Sequence, residues 1–225
     1  MRNRTGLPAA LGAGLAVFVA LWVLVAVRWA PLLTFDHRAV TDAHALSLGH
    51  AWLRTLSLIV TDLGSPVAVD VVAAVAVVVA AVRRWLPAAV AITVARLGEL
   101  GTETAVKVLV DRSRPVLAHP LATGSGYSFP SGHTAGSAAL YGVLVLLALP
   151  VVGRRWQVTV ATVGVVFVLA VAASRVLLGV HYPSDVVAGL ALGLVWAVVA
   201  VLVSERPAFG IGTVRLGAGR GSPRG

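Results

Sequence analysis

Three short segments hold most of the side chains that could do chemistry. The first runs from Lys107 through Asp111, Arg112 and Ser113 to Arg114 and Pro115. The second is Pro130, Ser131, Gly132 and His133, and the third runs from Ser174 and Arg175 through His181 to Asp185. Lys107, Arg114 and Arg175 are three cations able to surround one multiply charged anion. Arginine offers a planar pair of donors that fits phosphate oxygens, and lysine offers a point charge. Ser131 adds a hydroxyl, and Gly132 lets the backbone approach closely. Ser131 is placed to cap a helix whose free N–H groups and partial positive charge favour a bound phosphate.

His181 and Asp185 are four residues apart. If a helix begins near Ser184, Asp185 falls in its first turn and can reach back to the His181 ring. A carboxylate accepting from Nδ1–H leaves Nε2 with a lone pair facing the phosphate, which is an activated nucleophile. His133 then supplies the proton that a departing alkoxide needs. Taken singly, either histidine reads more simply as a satisfied loop or core residue. The cations alone read as a basic loop meeting lipid headgroups. Neither reading accounts for two histidines and an aspartate at these positions.

The elements that must position these residues are apolar. Of 225 residues, 58% are hydrophobic and 12% are charged, against about half and a quarter in an ordinary soluble domain. Mean hydropathy is +0.92. A soluble enzyme and a disordered chain are both excluded by these values. The absence of cysteine removes disulfides, thiolate metal sites and cysteine nucleophiles. A crossing helix needs about 20 mostly apolar residues. Six candidates follow: one between Arg4 and Arg28, then 66–82, 86–110, 132–149, 157–174 and 184–203. The fold expected is all-α, with a six-helix transmembrane domain over 1–204. A disordered basic tail over 205–225 completes it. The polar stretch holding Asp36, His37, Asp42, His44 and His50 reads as solvated, because its spacing fits no zinc pattern. Trp52 to Val60 reads as an interfacial segment.

Net charge is +9, and 17 of the 18 basic residues are arginine. No basic stripe with interleaved aromatics accompanies that charge, so nucleic acid is not expected as a partner. Instead the arginines fix orientation. Ten of them (Arg2, Arg4, Arg83, Arg84, Arg154, Arg155, Arg206, Arg215, Arg220, Arg224) fall by parity on one side of a six-span chain. The positive-inside rule makes that side cytoplasmic, with both termini. All three chemical segments then lie on the opposite, outer face. Arg96, Glu99, Glu103 and Lys107 line one face of the third span at spacings of three, four and four. That pattern reads first as an ion-pair ladder supporting Lys107. The alternative is that Glu99 or Glu103 reads a substrate headgroup.

The three segments resemble the tripartite signature of the type 2 phosphatidic acid phosphatase superfamily, which includes the vanadium haloperoxidases. The pattern is K-x6-R-P, then P-S-G-H, then S-R-x5-H-x3-D, and every fixed position is filled between residues 107 and 185. The resemblance implies a helical core, no cofactor, no metal and a phosphohistidine on His181. Asp185 resembles the orienting carboxylate and His133 the acid, then base. Lys107, Arg114, Ser131, Gly132 and Arg175 are similar to the phosphate-binding set. The expected activity is that of a bacterial plasma-membrane lipid phosphatase. Its candidate substrates are undecaprenyl diphosphate, phosphatidylglycerol phosphate and phosphatidic acid. A phosphotransferase would use the same residues, and a transporter is the rival from another class.

Overall fold

The computed structural model describes residues 6–205, and among them the regular elements are eight α-helices. They are α1 (Gly6–Ala26), α2 (Ala30–Gly49), α3 (Ala51–Leu63), α4 (Pro66–Val82), α5 (Leu86–Val110), α6 (Gly132–Ala148), α7 (Arg154–Leu177) and α8 (Pro183–Ser204). The all-α expectation holds. The tail expected over 205–225 lies, beyond Glu205, outside the described residues, as do Arg2 and Arg4.

Helices α1, α7 and α8 are each long and apolar enough to cross a membrane, and α3 with α4 form a fourth candidate as a bent pair. The remaining expected spans are α6, with 17 residues, and α5, whose 25 residues include four ionisable side chains. Large apolar side chains stay exposed along the outer faces, among them Val67, Val75, Val158 and Val163. A soluble monomer rarely exposes so much contiguous apolar surface.

Two segments depart from the sequence reading. The polar stretch is helix α2, opened by Pro31 in its first turn. It buries Asp36, Val40, His44 and Ser47 on one face, so these groups are not simply solvated. The supposed interfacial segment is α3, which continues into α4 through a 44° bend. The cause of the bend is local. Pro66 cannot supply a helical N–H, and Ser65 Oγ caps the new helix by accepting from the Ala68 N–H at 3.2 Å. Gly64 sits against α7, where a Cβ would come within 2.5 Å of the Val171 side chain.

Helix α8 is the centre of the bundle and packs most extensively on α6. In lipid there is little hydrophobic drive between helices, so close backbone approach must supply the association. Gly189 and Gly193 allow it. A Cβ at 193 would lie 2.5 Å from the Ala135 carbonyl oxygen, and one at 189 would lie 2.7 Å from that of Ser131. Beneath this seam, Val69, Ile92, Leu140, Val143, Ala197 and Val201 join α4, α5, α6 and α8 in one buried cluster. The seam sets the N-terminus of α6 beside that of α8, where the Ser131 N–H donates to the Asp185 carbonyl at 3.0 Å.

Candidate active site

The three chemical segments meet at one end of the bundle, and each is delivered by a helix terminus. Helix α5 ends at Asp111, which takes a left-handed conformation (φ 51°) and turns the chain sharply into the 111–131 loop. Asp is among the few residues other than glycine that tolerate this region. The Ser128 N–H closes the loop on the Arg112 carbonyl at 2.8 Å. Helix α7 ends in a turn through Gly179, at φ 74°. A side chain there would be strained and would meet His44 Nδ1 at 2.8 Å. That turn carries His181 back under the bundle end.

His181 is 1% exposed and Asp185 is fully buried. His181 Nε2 lies 2.8 Å from Arg114 Nη1. An arginine can only donate, so Nε2 must hold a lone pair and the neutral ring carries its proton on Nδ1. Nδ1 faces Asp185 Oδ2 at 3.5 Å and has no closer partner. At 3.5 Å the neutral ring faces the carboxylate without a formed hydrogen bond. Burial pushes the His181 pKa down to about 4, against the opposing pull of Asp185. The ring is therefore neutral at pH 7, as a nucleophile requires.

The cations gather around it. Arg114 is held by backbone carbonyls: Nε donates to Gly126 at 3.0 Å, Nη2 to Ser125 at 2.8 Å and Nη1 to Val180 at 2.9 Å. Burial lowers its pKa, yet a guanidinium stays charged at any ordinary pH. Arg175 is 4% exposed; Nη1 donates to Thr61 and Nε has no partner. A buried guanidinium with a free donor is poised for an anion. Lys107 Nζ pairs with Glu103 Oε1 at 2.7 Å. Gly132 is what lets that pair reach α6, since a Cβ would lie 2.5 Å from Glu103 Oε1. Ser131 occupies the N-cap position as expected, but its Oγ accepts from the Thr134 hydroxyl at 3.1 Å and not from a helix N–H. His133, one residue into α6, is half-buried in the positive field of Arg175, Arg114 and Lys107, beside His181.

The face of α5 below Lys107 is an ion-pair ladder. Arg96 binds Glu99, and its Nε also donates to Asp70 Oδ1 at 2.6 Å. Glu99 and Glu103 are both buried against these cations, with Glu99 Oε1 left without a partner.

Sequence reasoning missed Arg112 and Asp36. Arg112 Nη1 donates to Asp185 Oδ1 at 2.6 Å and Nη2 to Asp36 Oδ2 at 2.7 Å. Asp185 Oδ2 also accepts from Ser128 Oγ at 2.8 Å and from the Tyr182 N–H at 3.0 Å. The available signal for Asp36 was the 36–40–44–47 register of one helical face.

A family model described as the PAP2 superfamily matches residues 68–208. The chain belongs to the PAP2 superfamily. Among curated relatives, phosphatidylglycerophosphatase B of Bacillus subtilis (strain 168) is 40% identical over 92 residues, covering 40% of this chain and 44% of that protein. The decaprenylphosphoryl-5-phosphoribose phosphatase of Mycobacterium tuberculosis (strain ATCC 25618 / H37Rv) is 40% identical over 117 residues, 49% of this chain and 56% of the relative. The chain thus spans about half the length of these relatives. The fold matches the crystal structure of a transmembrane PAP2 type phosphatidylglycerolphosphate phosphatase from Bacillus subtilis with a TM-score of 0.76. That match has 23% identity and covers 85% of this chain and 96% of the other.

Proposed function

We propose that the chain is an integral membrane lipid phosphatase acting through a phosphohistidine on His181. The observation that carries this reading is the buried, neutral His181 ring. Its Nε2 lone pair faces an arginine-lined site and its Nδ1 faces Asp185. A phosphate entering the site takes over the Arg114 Nη1 donor and the free Arg175 Nε, with Lys107, Ser131 and the Gly132 N–H completing the cradle. The bound phosphate offsets the cations around His133, so that its ring enters the step protonated; Nε2 then attacks phosphorus, the bond to the lipid oxygen breaks, and His133 protonates that oxygen. Water deprotonated by His133 cleaves the N–P bond, restoring the ring and releasing phosphate. The positive charge that stabilises the transition state comes from side chains, so no metal is assigned a step.

Six crossings, formed by α1, the α3–α4 pair, α5, α6, α7 and α8, put the site on the outer face of a bacterial plasma membrane, with both termini inside. Arg83, Arg84, Arg154 and Arg155 support that orientation. The substrate is then an outer-leaflet lipid monophosphate or diphosphate, with phosphatidylglycerol phosphate, phosphatidic acid and undecaprenyl diphosphate as candidates. The test is phosphate release by the purified protein across these three lipids, with and without EDTA. Release that survives the chelator and disappears in His181→Ala is the expected result. Release unchanged in that variant overturns the covalent route.

A further inference from the structure

Asp185 does not stand alone behind His181. Its Oδ1 receives Arg112, and the other side of the same guanidinium is held by Asp36 on α2. Asp36 is fully buried, and its carboxylate also accepts from the Ser184 backbone N–H at 3.0 Å and from the Ser184 hydroxyl. The Tyr182 ring covers Arg112, with its centroid 4.2 Å from the guanidinium carbon. These groups are tied by short contacts in a closed space, where charge is costly unless balanced.

The balance has a direction. Asp185 and Arg112 alone sum to zero, so a cation forming on His181 would face a neutral pair. Asp36 brings the set to a net charge of −1. When Nε2 bonds to phosphorus, the ring keeps its Nδ1 proton and becomes cationic. That is the moment at which a net negative charge behind Nδ1 is worth most. We propose that Asp36 and Arg112 are positioning residues for this reaction, Arg112 aiming the Asp185 carboxylate at His181 Nδ1 and Asp36 restoring the negative charge that Arg112 cancels. This rests on His181 acting as the nucleophile in the function proposed above.

The test separates bonding at His181 from simple anion binding. Orthovanadate bonds to a histidine nitrogen as a five-coordinate mimic of the transition state, whereas inorganic phosphate occupies the cationic cradle without that bond. Dissociation constants of both anions are measured calorimetrically on the purified full chain as wild type, Asp36→Asn, Arg112→Gln, Arg112→Lys and the Asp36→Asn/Arg112→Gln double variant. In Asp36→Asn, orthovanadate is expected to bind about tenfold more weakly and phosphate within about twofold of wild type. Arg112→Gln weakens orthovanadate by roughly 100-fold, and Arg112→Lys recovers at least part of this. In the Arg112→Gln background Asp36→Asn causes a smaller loss than it does alone, because Asp36 then has no arginine to hold or to offset.

Equal weakening of both anions, no weakening of orthovanadate, or multiplicative effects of the two substitutions would overturn the proposal. Should Arg112→Gln fail to fold, Arg112→Lys and Asp36→Asn carry the same comparison. Phosphate release from the three candidate lipids, each in detergent micelles, is measured in parallel. A wild type that shows the orthovanadate pattern but releases phosphate from no lipid sinks the lipid phosphatase reading and leaves the positioning role standing. A wild type that binds neither anion overturns both.

Discussion

At the scale of single residues, the site is defined by which nitrogen of His181 holds the proton. Arg114 on one side and Asp185 on the other select the Nδ1–H form. Burial then sets the pH range. A histidine whose folded pKa is depressed to about 4 stays neutral while the unfolded chain, near 6.5, takes up a proton. Stability is therefore lost as pH falls through that window, while the folded ring stays neutral. Corrected for ionisation of the substrate phosphate, the acid limb of kcat/KM is expected to inflect nearer pH 4 than pH 6.5. An inflection at 6.5 would mean a ring open to water. His181→Ala should leave release indistinguishable from background, with the folded protein still recovered from the membrane.

Most of this residue-scale chemistry is legible in the amino-acid sequence. Lys107, Arg114, His133, His181 and Asp185 announce themselves by type and spacing, because those are the groups that the proposed attack on phosphorus would need. Asp36 and Arg112 do not, for a physical reason. A residue that acts by holding another group carries no motif of its own, and the partner of Asp36 lies 76 positions along the chain. Only the fold reveals such a pair.

At the scale of elements, the closest constraint is the α6–α8 seam. Gly189→Val puts its side chain against the Ser131 carbonyl, at the joint that sets the two N-termini side by side. Overpacking of this kind costs about 1–3 kcal/mol. The expected result is a lower melting temperature together with a fall in kcat. Gly101, where a Cβ would meet nothing within 4 Å, provides the control: Gly101→Ala should lower neither. Equal behaviour of the two variants would remove the seam from the account. The same scale explains what the hydropathy pattern hid. Helices α5 and α8 are readable to within a residue or so, because their ends are marked by prolines and charges: Pro87 and Asp111 for α5, Pro183 and Glu205 for α8. Helix α2 was hidden because its buried face is made of Asp36, His44 and Ser47, groups that a hydropathy reading assigns to water. The α3–α4 bend was hidden because Gly64, Ser65 and Pro66 signal a break in any chain, whether at a surface or inside a bundle.

At the scale of the whole molecule, the question is which side of the membrane the site faces. The cysteine-free chain makes it answerable. A single cysteine replacing Thr123, in the exposed part of the 111–131 loop, should react with a membrane-impermeant thiol reagent on intact cells. One replacing Gly153, in the turn before α7, should react only after the membrane is opened. The reverse pattern would put catalysis inside. It would also remove outer-leaflet lipids from the substrate list. A transporter would need its polar groups to line a continuous path. Here the charges along α5 are taken up in pairs with one another and with Asp70.

The Asp36–Arg112–Asp185 link also bears on how the protein is made. Its members come from α2, the loop after α5, and the first turn of α8, the last helix described. A ribosome delivers them in that order. Asp36 and Arg112 can neutralise each other as soon as both exist, so neither is stranded while the chain waits. His181 and Asp185 arrive together at the end. Until then the membrane receiving the new helices, rich in lipid phosphates, meets Lys107 and Arg114 without His181, and on the proposed route nothing there can attack. The chain divides naturally at Gly153: the part before it holds the acid and two of the cations, the part after it holds Arg175, His181 and Asp185. Synthesised separately in one cell, neither part alone would hydrolyse anything, and activity would report their meeting.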